Sequence, residues 1–133
     1  MLKILTFDVG ETTGYCLLGV GKKNNHTVLK HGTFTAVSAV STCLPLFKER
    51  ADLTVVERTA VGEFGDRLHQ SNQMYLFILS LVPEARVIRP VDWKSGPWKN
   101  VSTHDYFPES TKLSKHEKDA FRIAIYAMEK MRK

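Results

Sequence analysis

Four side chains in this sequence have the chemistry of a cation site, and they come from three distant segments. Asp8 stands in "LTFDVGETTGY" and Glu57 in "LTVVERT", each directly after apolar residues. His116 and Asp119 follow in "HEKDAFRIA". A carboxylate at the end of a buried run is costly unless a cation or a set of donors meets it. His116 and Asp119 are three residues apart, which sets them on one face of a helix. Ile123 and Ala127 continue that face, so the pair points the way the buried stripe points. Three carboxylates and an imidazole gathered together repel, and they keep protons unless a cation is present. Such an oxygen-rich set suits Mg²⁺ or Mn²⁺. Two such ions about 4 Å apart activate a water and stabilise the leaving oxygen of a phosphodiester.

Each residue also has an ordinary role open to it. Asp8 can cap the turn before Gly10. Glu57 can pair with Arg58 or a lysine, and Asp119 with Lys115, four residues before it. His116 can be a plain first-turn residue. Taken singly these roles win; taken together, two acids at buried strand ends and an H-x-x-D helix favour a site.

The elements that must position them read as strands and helices in the order βββαβαβα. "LKILTFDV" (2–9) is a central strand, rich in β-branched and apolar residues. Strands at 14–20 and 26–34 follow, joined by the polar turn "GKKNN". Residues 36–50 read as helix, with Pro45 starting or kinking its second part. "ADLTVVER" (51–58) is a short buried strand. Residues 65–82 form a helix whose Met74, Phe77, Ile78 and Leu81 recur on one side. "ARVIRP" (85–90) is a fifth strand ended by Pro90, and 91–112 reads as loop. Residues 114–133 form a closing helix, with Ser114 as N-cap and Glu117 completing a capping box. This is an α/β pattern, a mixed five-stranded sheet with helices packed on it.

Length and composition fit that pattern. The 133 residues suit one domain spanning 1–133, 43% hydrophobic and 25% charged. The longest apolar run, "MYLFILSLV", is too short to span a bilayer. The N-terminus has no signal-peptide pattern, and Cys16 and Cys43 have no metal or redox spacing, so a cytoplasmic protein is expected. Net charge is +5. Residues 1–85 balance, with eight Lys/Arg against eight Asp/Glu; residues 86–133 hold eleven against six. A one-sided basic surface fits a polyanion partner, most simply nucleic acid.

"FDVGETTGY", "VVER" and "KHEKDAFRIAIYA" together resemble the RuvC-type Holliday-junction resolvases of the ribonuclease-H-like superfamily. These begin with a strand carrying D-x-G-x-x-x-x-G or a near variant. A second acid ends the fourth strand, and a [D/H]-x-x-D-A turn opens the last helix. The resemblance covers the whole chain, as a compact version of the fold. It implies Asp8, Glu57, His116 and Asp119 as the metal-site and catalytic residues, holding two Mg²⁺ or Mn²⁺ ions. Asp8 would bridge both ions, Glu57 and Asp119 would each bind one, and His116 would bind or orient the second ion or its water. It also implies a homodimer that nicks opposed strands of a four-way DNA junction, with no membrane and no small-molecule cofactor. Met74, Phe77, Ile78 and Leu81 are the residues expected at the dimer interface.

Two stretches depart from that pattern. The family often has an aromatic shortly after the second acid; here Ala60 stands three residues after Glu57, and the nearest aromatic is Phe64. Phe64 is therefore a candidate DNA contact, and equally a core residue. In "VDWKSGPWKN", Lys94 and Lys99 stand beside Trp93 and Trp98 and suit phosphate contact, with at least one tryptophan expected to pack on the sheet. Lys115 would also meet phosphate. Two other readings remain: a ribonuclease-H-like nuclease acting on an RNA–DNA hybrid or other branched DNA, and an actin-like ATPase module opening with "DVGETTG". The second needs two such domains and a second phosphate loop.

Overall fold

A computed structural model gives the fold. It describes residues 1–58, 66–104, 106–107 and 112–131, with backbone alone for 66–71. The strands are β1 (Leu2–Asp8), β2 (Thr13–Val20), β3 (His26–Phe34), β4 (Leu53–Glu57) and β5 (Arg86–Ile88). The helices are α1 (Ala39–Lys48), α2 (Asp66–Leu81), α3 (Pro90–Lys94) and α4 (Lys115–Lys130). The sheet order is β3-β2-β1-β4-β5. The first three strands form an antiparallel meander, and β4 and β5 run parallel to β1.

Both faces of β1 are buried, which is why its sequence reads as an almost unbroken apolar run. Period-two alternation sends Ile4, Thr6 and Asp8 to one face and Leu5 and Phe7 to the other. The first face packs on α4 through Ile4, Cys16, Leu18, Val55, Phe121 and Ile123. The second packs on α1 and α2 through Leu5, Phe7, Leu17, Val56, Leu46 and Ile78. Thr6 is the polar residue inside the first face, and its hydroxyl donates to the Ala120 carbonyl at 2.6 Å. The helix is thereby tied to the sheet at the turn that follows Asp119.

Several expectations are revised. Residues 91–112 are not simply a loop: Pro90 opens helix α3 instead of ending the strand before it, and Pro97–Asn100 forms a 3₁₀ turn. The fixed φ of proline suits the first helical position, where no amide donor is needed. Pro45 lies inside a continuous α1. Among the four residues expected at a dimer interface, Met74 and Ile78 are instead buried in the core and Phe77 packs beside them, while Leu81 is exposed. The reason is that α2 has to cover the second sheet face, and its apolar stripe is used there.

Candidate active site

Register alone brings the first two acids together. Asp8 and Glu57 are paired residues on the adjacent parallel strands β1 and β4. Asp8 shares its face with Ile4 and Thr6, and Glu57 shares its face with Val55, so both carboxylates lie on the α4 side. Gly14 is the partner of Asp8 on β2. A side chain there would collide with the backbone of His116, so this glycine makes room for the first turn of α4. Ser114 caps that turn by accepting from the Glu117 amide at 3.1 Å, and the Glu117 carboxylate accepts from the Ser114 amide at 3.2 Å. The other Glu117 oxygen lies 2.6 Å from His31 Nδ1 on β3.

The helix so fixed carries His116 and Asp119 over the carboxylate pair. His116 Nδ1 lies 3.0 Å from Asp8 Oδ2, joining the first segment to the last. With its proton on Nδ1, the ring donates to Asp8 and leaves Nε2 as an acceptor. Asp119 is buried, and Arg122 Nη1 stands 3.4 Å from its Oδ1. Asp8, Glu57 and Asp119 are all below a tenth exposed, which is rare for carboxylates.

Burial is the largest influence on both paired acids. It pushes the Asp8 carboxyl up to about 6, opposed by a hydrogen bond from Glu57 and reinforced by the charge of Asp119. It pushes Glu57 up to about 8, reinforced by the charge of Asp8 and opposed by a hydrogen bond from Trp93. Lys94 pulls both back down, and Lys115 does so for Asp8. The pair therefore retains protons that ordinary carboxyls have lost, a state that a divalent cation relieves.

The donor set fits a hard cation: three buried carboxylates from three segments and an imidazole. Among the described residues, no three His, Cys, Asp or Glu side chains are already drawn around a single point. The side chains stand in pairs, Asp8 with Glu57, Asp8 with His116, and Asp119 with Arg122.

His116 does stand in the first turn of α4, while three of the observed partners differ from those weighed from sequence. The Gly10 amide is met by Thr13 Oγ1 at 3.3 Å, Arg58 lies over the Tyr75 ring, and Asp119 pairs with Arg122. Lys94 and Lys115 are exposed, and their charges reach the acids. Lys99 is exposed on the 3₁₀ turn beyond α3. Phe64 lies outside the described residues. Trp93 is buried, and its indole N–H donates to Glu57 Oε2. Trp98 packs edge-on against Tyr126 and donates to Glu129 at 2.7 Å. The contact of Trp93 with Glu57 had no signal in the sequence, because it depends on α3 turning back beneath β4.

This sheet order, with acids on the adjacent parallel strands β1 and β4 and a helix laid across them, is a mixed five-stranded α/β fold similar to that of solved RuvC-type resolvase structures. Solved structures match it over nearly the whole chain. Thermus thermophilus RuvC in complex with a Holliday junction substrate superposes with a TM-score of 0.73 at 12% identity, covering 97% of this chain and 96% of that one. The fowlpox virus resolvase bound to junction DNA gives 0.66 at 16% identity, covering 99% and 100%. The yeast mitochondrial Holliday junction resolvase gives 0.65 at 11%, covering 96% and 79%. No family model matches the chain, and no curated protein matches it by sequence. Among the described residues, no helix is long and apolar enough to cross a membrane.

Proposed function

We propose that this chain is a divalent-metal-dependent endonuclease of one domain that resolves four-way DNA junctions by paired nicks. The observation that carries this reading is the pairing of Asp8 with Glu57 in register, beneath the His116 and Asp119 of α4. Asp8, Glu57, Asp119 and His116 would hold Mg²⁺ or Mn²⁺, two ions by the resemblance. Bound there, such ions supply Lewis acidity to a phosphodiester and lower the pKa of water.

The chain's own groups do the rest. The carboxylate pair gives up its retained protons when it takes a cation. With its proton on Nδ1, His116 donates to Asp8, which orients its ring and keeps Nε2 available to a ligand or a water. Lys94 and Lys115 present cations whose charges reach the acids, where phosphates of a docked backbone would lie, and Lys99 would add a phosphate contact from the 3₁₀ turn beyond α3. The excess of Lys/Arg in residues 86–133 belongs to this same part of the sequence.

Paired nicking calls for two copies. The exposed apolar side chains Val37, Val40, Leu44 and Leu76 on the α1 and α2 side support such a contact. They replace Met74 and Ile78, which the core uses.

The test is incubation with a four-way junction, a linear duplex and an RNA–DNA hybrid in Mg²⁺ and in Mn²⁺. Symmetric nicking of the junction, with the other two largely intact, is the expected result. Preferential cutting of the hybrid would transfer the chain to a different substrate, and no cutting of any would remove the nuclease reading.

A further inference from the structure

β5 ends at Ile88, the register partner of Glu57, and the Arg58 amide donates to the Ile88 carbonyl at 2.9 Å. The chain then turns at once. The Arg89 amide donates to Asp92 Oδ2 at 2.7 Å, closing the first turn of α3 around Pro90. Five residues past Ile88, Trp93 returns to the site end of β4. It is 1% exposed, part of the apolar core on the α4 face, and its N–H meets Glu57 Oε2.

Core filling alone does not call for this residue. An indole N–H only donates, so burying it demands an acceptor, whereas phenylalanine or leucine would fill apolar space without that demand. Here the acceptor is the most buried carboxylate of the site. A donor fixed on one oxygen sets the plane of the carboxylate and leaves Oε1 outside that bond. Lys94, the next residue, holds its ammonium 5.3 Å from the Trp93 ring, and its charge reaches both Glu57 and Asp8. One short helix thus delivers a fixed donor and a cation to the same acid. Trp98 makes the contrast: its N–H is given to Glu129, an exposed residue far along α4 from the acids.

We infer that Trp93 is a positioning residue, whose indole N–H holds the Glu57 carboxylate in the orientation that admits a divalent cation. Groups that orient a metal's ligands commonly change affinity by about 10–100-fold when removed. This rests on the cation site proposed above and not on which nucleic acid is cut.

The test replaces Trp93 with β-(3-benzothienyl)alanine in a Trp98→Phe background. The analogue keeps the bicyclic shape and exchanges the N–H for sulfur. Mn²⁺ affinity is read without DNA from the free-ion electron paramagnetic resonance signal, and folding from thermal melting. The expected result is at least tenfold weaker Mn²⁺ binding with the folded baseline retained and junction affinity in the presence of a chelator unchanged. Trp93→Phe, which also lacks the donor, should weaken Mn²⁺ binding to the same degree. Affinity within twofold of the parent in the analogue protein would overturn the inference. So would a parent that takes up no Mn²⁺, or weakening seen only together with unfolding. A parent whose Mn²⁺ affinity depends on Trp93 and that cuts no nucleic acid would leave the inference standing and remove the nuclease reading.

Discussion

The two faces of the sheet are held in different ways. On the α4 face the packing is apolar, but specific polar ties fix the helix: Thr6 to the Ala120 carbonyl, His31 to Glu117, and the Ser114–Glu117 box. Gly14 adds a close backbone approach beneath His116. On the α1 and α2 face, aromatic edge contacts join Phe7 to Phe34 and to Phe47. There Val37, Val40, Leu44 and Leu76 remain exposed, and an open cleft of about 560 Å³ is lined by residues that include Glu11, Val37, Val40 and Phe77. Hydrogen bonds have directions and apolar contacts do not, so the first face can hold side chains to a geometry. The second is built to cover.

Changes at these faces should therefore fail differently. The largest effect on folding is expected at Gly14. Gly14→Ala places a methyl against the His116 backbone, which should cost about 1–3 kcal/mol of stability by overpacking. Displacing His116 and Asp119 together should slow cleavage about 100-fold, the order of loss for a misplacement near 1 Å. Wild-type melting and wild-type rate in this variant would show that the helix has room to spare.

A second test uses acidity. With divalent ions chelated, the folded chain holds protons on Asp8 and Glu57 that the unfolded chain releases near pH 4. Stability from the pair is full below that range and is lost as pH rises through about 6 and about 8. The urea midpoint should fall across this window, and Glu57→Gln should flatten its upper part. A midpoint that rises from pH 5 to 8 in the parent, or a slope unchanged in the variant, would contradict the buried pair.

The smallest effect on folding is expected on the other face. Val40→Lys changes an exposed residue and should alter stability by no more than about 0.5 kcal/mol. If a second copy covers this face, sedimentation should shift from dimer to monomer. Unchanged sedimentation would separate the exposed apolar residues from assembly.

Much of this was legible before any coordinates. Strand β3 runs from His26 to Phe34, the limits that its alternation and flanking turns imply. The Ser114 cap and the buried stripe of α4 follow from spacing that depends on local geometry alone. The pairing of Asp8 with Glu57 and of Asp8 with His116 was also readable, because an acid after a buried run is costly and H-x-x-D fixes a helical face. What escaped was set by tertiary context. Pro90 reads equally as a strand end or a helix start, and only its place beside the end of β4 decides. Met74 and Ile78 have the spacing of an interface stripe, yet the same spacing serves a helix covering a sheet. His31 and Trp93 carry no motif; they matter because β3 and α3 bring them to Glu117 and Glu57.

The central claim is that Asp8 belongs to a cation site at the meeting of three segments. Asp8→Asn keeps the shape and the hydrogen-bonding reach of the side chain while removing its charge. The account predicts that this protein still binds a four-way junction, and that cleavage under saturating Mg²⁺ falls to background. Cleavage at the parental rate would contradict it.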